Sequence, residues 1–144
     1  MAIPKASRYV AGLLALTGIM GIELLTVDQV LRETAPTHFY GLALFVVIDF
    51  IVAAFVITKP TKTAFTSAAI WGLLRIIIQL ADVYQAHSLG MRYTEFANYL
   101  FNPTLTTPPN PSGVPGVIID LILLLELVVF VIAWRARSSV TAKP

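Results

Sequence analysis

The sequence predicts an all-α integral membrane protein, a single domain over residues 1–144 built as an antiparallel bundle of four transmembrane helices. Three observations predict it. Hydrophobic residues make up 57% of the 144 positions and the mean hydropathy is +0.80, well above the roughly 45–50% apolar content of soluble domains. These residues gather into four runs, each near the ~20 residues that cross a bilayer core. Short proline-containing breaks separate the first three runs, and short connections make neighbouring helices antiparallel.

The first span is expected over residues 9–31. Lys5 and Arg8 precede it in the charged-then-apolar layout of a signal peptide. The apolar run continues through Leu25 and Val27 with no small-residue cleavage site, so it reads as a retained helix. Gly12, Ala15, Gly18 and Gly21 give it a small-residue surface suited to close helix packing. Ala35-Pro36-Thr37 breaks the chain before the second span, residues 39–58. Thr58-Lys59-Pro60-Thr61-Lys62 then forms a basic turn into the third span, residues 65–86, and the fourth covers residues 116–134. Tyr9, Phe39, Tyr40, Phe65 and Trp134 fall at the expected interfaces.

The connection over residues 87–115 is too long for a turn. Met91, Tyr93, Phe96, Tyr99, Leu100 and Phe101 can line one side of a short interfacial helix, and the Pro- and Thr-rich stretch 102–115 reads as an extended strap. Lys5, Arg8, Lys59, Lys62, Arg135, Arg137 and Lys143 share one side of this topology, against Arg32 and Arg92 on the other. The positive-inside rule then puts both termini in the cytoplasm, with the plasma membrane of a prokaryote as the expected location.

The chain has no cysteine, which removes disulfides, thiolate metal sites and thiol nucleophiles. The net charge of +2 is accounted for by basic residues at segment ends, so nothing points to nucleic acid. No phosphate-cradling glycine loop, HExxH or nucleophile elbow occurs, and no catalytic activity of its own is expected.

The chemistry of interest is the ionisable residues within the spans: Glu23, Asp49, Arg75, Asp82, Asp120 and Glu126. A charge at a helix centre costs roughly 2.5–3.5 kcal/mol on insertion scales, so such residues are expected to face the bundle interior, water or a partner chain. At about 1.5 Å per residue, Asp49, Arg75 and Glu126 each lie near mid-span. Arginine remains protonated and offers a planar fork of donors, so Arg75 is expected to pair with Asp49 or Glu126. By the same rise Glu23 is level with Gln79, and these two are assigned to a second layer of the buried network. Asp82 and Asp120, with His38 and His87, form an outer polar rim. The two histidines and a carboxylate can in principle bind a metal, but hydrated helix-end histidines are the commoner case, and neither a metal nor another cofactor is expected.

Five acids and one arginine cannot all be ionised in a dry core, so some acids are expected to be protonated, hydrated or paired with another chain. Small size, buried charge and a strap-like loop suggest a non-catalytic integral subunit of a larger membrane complex, of an energy-transducing or redox kind, with other integral subunits and the lipid bilayer as partners. The alternative is a small proton- or cation-coupled transporter or channel that uses the intramembrane carboxylates. A third reading is contact with a quinone or lipid through the aromatic external segment.

Overall fold

The computed structural model describes residues 4–34, 36–90, 92 and 114–140, and all the regular structure among them is helical. In chain order the helices are α1 (Lys5–Val27), α2 (Gln29–Thr34), α3 (Pro36–Thr58), α4 (Lys62–Ser88) and α5 (Val114–Val140). Four of them, α1, α3, α4 and α5, contain stretches long and apolar enough to cross a membrane. The protein is therefore an all-α membrane bundle. The expected interfacial helix and the strap up to residue 113 lie outside the described residues apart from Arg92, and Val114 and Pro115, expected in the strap, begin α5 instead.

Most helix ends differ from the sequence reading by a few residues, and two of the differences have a local physical cause. The first span stops at Val27 rather than continuing to residue 31, because Asp28 is extended and its Oδ1 accepts from the Leu31 amide at 2.9 Å, starting the short helix α2. The last helix continues to Val140, beyond residue 134, because the basic and polar residues after Trp134 retain good helix propensity. At the start of α4, Pro60 ends the preceding turn and the Thr61 hydroxyl caps the helix by accepting from the Ala64 amide at 3.2 Å. Gly90, at φ +101°, ends the same helix in the left-handed conformation that favours glycine.

Successive spanning helices run antiparallel. The Ser7 hydroxyl near the start of α1 donates to the Val56 carbonyl near the end of α3 at 2.6 Å. The start of α1, the end of α5 and the α3–α4 turn thus share one end of the bundle. Helix α1 packs closely on α3, and α4 packs closely on α5, while α3 and α4 approach each other less closely. The close approach of α1 needs Gly21, where an added Cβ would come within 2.5 Å of the Val46 side chain. Gly12, assigned to the same packing surface, has open space around it instead.

The core is uneven along the bundle axis. Around the termini end, Val10, Leu14, Val56, Phe65 and Val129 pack against small residues on α4 and α5, chiefly Ala64, Ala68 and Ala133. Toward the opposite end the buried apolar cluster shrinks to Leu24, Ile118 and Ile122. The helices leave a cavity there.

Candidate functional site

The structure brings three charged side chains together in the middle of the bundle. Asp49 on α3 and Glu126 on α5 are fully buried, and Arg75 on α4 is nearly so. Arg75 Nη1 donates to Asp49 Oδ2 at 3.1 Å, while Arg75 Nε lies 3.8 Å from Glu126 Oε1, an ion-pair distance without a hydrogen bond. Antiparallel helices place these residues side by side because each sits about halfway along its span. The guanidinium carbon also lies 4.9 Å from the centre of the Phe45 ring on α3, a cation–π arrangement.

Asp49 is the best-supported member of the group. Trp71, one turn before Arg75 on α4, donates Nε1–H to Asp49 Oδ1 at 2.6 Å. The Thr17 hydroxyl on α1 lies 3.3 Å from Asp49 Oδ2 and 2.9 Å from the Leu14 carbonyl. With one proton it donates to one of them at a time, and the shorter contact is to Leu14. Glu126 contrasts with this. Neither of its carboxylate oxygens has a hydrogen-bond partner among the described residues. Its backbone lies against Gly72, where an added Cβ would come within 2.8 Å of the Glu126 carbonyl oxygen.

Above this group a cavity of about 650 Å³ opens toward the end of the bundle opposite the termini. Arg75 and Phe45 lie at its deepest level, and Leu24, Leu42, Ile78 and Ile122 form apolar wall. The polar lining of α4 rises as a file of Arg75, Gln79, Asp82 and Gln85, spaced 4, 3 and 3 residues apart and so on one helical face. Ten residues at 1.5 Å each make the cavity about 15 Å deep. At the mouth His38 Nε2 lies 3.7 Å from Asp82 Oδ1, linking α3 to α4, and both side chains remain substantially exposed.

The remaining residues singled out from the sequence are dispersed. Gln79 is half-buried and lines the cavity one turn above Arg75. Asp120 is half-buried near the start of α5 and is not part of the cavity lining. His87 is exposed near the end of α4 and is not part of the cavity lining. Glu23 does not join Gln79: it is exposed, and the second buried layer expected of this pair is not formed. The buried face of α1 carries Val10, Leu14, Thr17, Gly21 and Leu24. Two residues beyond Gly21, at 100° per residue, Glu23 points the opposite way, into an outer face shared with Leu16, Ile19 and Val27. The expectation failed because it used depth along the helix without direction around it.

Trp71 lies four residues before Arg75, on the same face of α4, and its hydrogen bond to Asp49 was not foreseen. Thr17 was missed altogether. Its signal was a hydroxyl residue next to Gly18, on the small-residue stripe that turns inward. Comparison with protein families, curated proteins and solved structures finds no match to this chain, so the functional reading rests on the site itself.

Proposed function

We propose that this chain is a non-catalytic integral subunit of a larger membrane complex, of an energy-transducing or redox kind, whose Asp49–Arg75–Glu126 group holds the bundle together from within. The observation that carries the proposal is Glu23. It stands on the outward apolar face of α1 between Ile19 and Val27, one turn before the end of the helix, and its carboxylate has no hydrogen bond or ion pair among the described residues. A carboxylate on a lipid-facing stripe is costly, and a cation or donor on a neighbouring subunit removes the cost. The basic end, with Lys5, Arg8, Lys59, Lys62, Arg135 and Arg137, faces the cytoplasm in this proposal, and the cavity opens on the other side of a prokaryotic plasma membrane.

The test is purification of the endogenous, tagged chain from native membranes in mild detergent, beside a Glu23→Leu variant. Stoichiometric larger subunits with the natural chain, and their loss with Glu23→Leu at unchanged chain abundance, are expected. Isolation of the natural chain without partners refutes the subunit reading. Undiminished co-purification of Glu23→Leu refutes the assignment of α1 as the contact face.

A second reading, a proton- or cation-coupled transporter, is favoured by one observation: Glu126 lies without a hydrogen bond 3.8 Å behind the arginine at the foot of the cavity. It requires cation flux in reconstituted vesicles that Glu126→Gln abolishes. Flux that Glu126→Gln leaves unchanged rules it out.

A further inference from the structure

We infer that the cavity is a binding site for a neutral quinone-class molecule, a flat carbonyl-bearing ring with an apolar tail. This inference goes beyond the subunit reading and stands on the cavity alone. Its volume of about 650 Å³ is that of a small-molecule site, which falls at ~300–1,000 Å³. Mostly apolar walls with a few polar groups at defined depths are also the usual composition of such sites.

Charge narrows the class of occupant. At the floor one guanidinium faces two carboxylates, Asp49 at 3.1 Å and Glu126 at 3.8 Å. Arg75 therefore has no positive charge in excess to hold an anion. An anion would also pass Asp28 and Asp82, both of which line the upper cavity. A permanent cation at the floor meets the guanidinium before either carboxylate, because Arg75 lines the cavity and Asp49 and Glu126 do not. A neutral acceptor is repelled by neither.

The donors suit carbonyl oxygens. A guanidinium carries five N–H groups and has no acceptor, and the Gln79 amide adds two more donors one turn higher. A ring carbonyl at this level accepts from Arg75 or Gln79, the ring lies against Phe45, and its apolar tail follows Ile78 and Ile122. At the other end the imidazole of His38, beside Asp82, faces a second carbonyl or hydroxyl and remains in contact with solvent. The same groups serve the reduced form, whose hydroxyls donate to the Gln79 carbonyl oxygen or to the histidine.

The experiment uses the full chain in lipid nanodiscs, with Trp134→Phe leaving Trp71 as the only tryptophan. Trp71 lies against the cavity-lining Phe45, with ring centres 5.5 Å apart, so a bound quinone quenches its fluorescence. Decylubiquinone and a short-tailed naphthoquinone are titrated, with tetraphenylphosphonium and an alkylsulfonate as competitors. The blocking variant is Gly41→Leu. Gly41 lines the cavity and an added Cβ there meets nothing within 4 Å, so the larger side chain fills the site without a clash at its base. Gln79→Leu is the second, donor-removing variant.

Saturable quenching is expected, weakened tenfold or more by Gly41→Leu and several-fold by Gln79→Leu, with neither charged competitor displacing the quinone. Quenching that is linear in quinone, or unchanged in Gly41→Leu, overturns the proposal. Displacement by tetraphenylphosphonium assigns the cavity to organic cations instead and overturns it as well. None of these outcomes depends on a partner subunit.

Discussion

Asp49→Asn should destabilise the bundle far more than Glu126→Gln, although both replace a fully buried carboxylate beside the same arginine. Asp49 receives Trp71 Nε1–H on one oxygen at 2.6 Å and Arg75 Nη1–H on the other at 3.1 Å. An asparagine has one oxygen for two donors, so in either amide orientation an N–H faces an N–H. It also leaves Arg75 with a carboxylate only at 3.8 Å. Breaking a buried pair by removing one partner costs about 3–5 kcal/mol. Glu126→Gln removes no hydrogen bond and lowers the negative excess by one charge, so its cost is expected to remain within ~1 kcal/mol, the scale of one net hydrogen bond. Reversible unfolding in mixed micelles or bicelles reads the difference, which should be at least about 2 kcal/mol on these magnitudes. Adding Arg75→Gln to Asp49→Asn should recover part of the loss, because the charge left unpaired is then gone. Equal destabilisation by the two single variants, or a larger effect of Glu126→Gln, would refute the assignment of Asp49 as the principal partner of Arg75.

Gly72→Ala should cost about 1–3 kcal/mol in the same assay, since the new methyl would lie 2.8 Å from the Glu126 carbonyl oxygen and must push α5 away. Gly12→Ala meets no atom within 4 Å and should instead be neutral or stabilising by up to about 1 kcal/mol through helix propensity. The absence of cysteine makes orientation directly measurable: in intact cells Ser88→Cys should react with an impermeant maleimide, and Thr63→Cys should react only after lysis. The reverse pattern would place the cavity mouth on the cytoplasmic side.

What could be read from the sequence was what depends on one helix at a time. Hydropathy located the spans, and the fixed rise per residue put Asp49, Arg75 and Glu126 at one level, because antiparallel helices of similar length align their midpoints. Glu23 shows where depth alone fails. Gly18 and Gly21 mark the side of α1 that α3 approaches, and a residue two positions past Gly21 must point away from it. That direction was readable, but a rule that sends intramembrane charge inward overrode it. The cavity depends on pairs of helices and was not legible in the same way. Toward the termini end, α4 and α5 meet through alanines, Ala64, Ala68, Ala69, Ala133 and Ala136, which let their backbones approach. Beyond Arg75 the inward positions carry Ile78, Gln79, Ile119, Ile122 and Leu123, side chains that hold the helices apart without filling the space between them. The change from small to large residues along these two helices is present in the sequence. Its consequence appears only once α3, which approaches α4 less closely, leaves the third side of that space open down to the arginine.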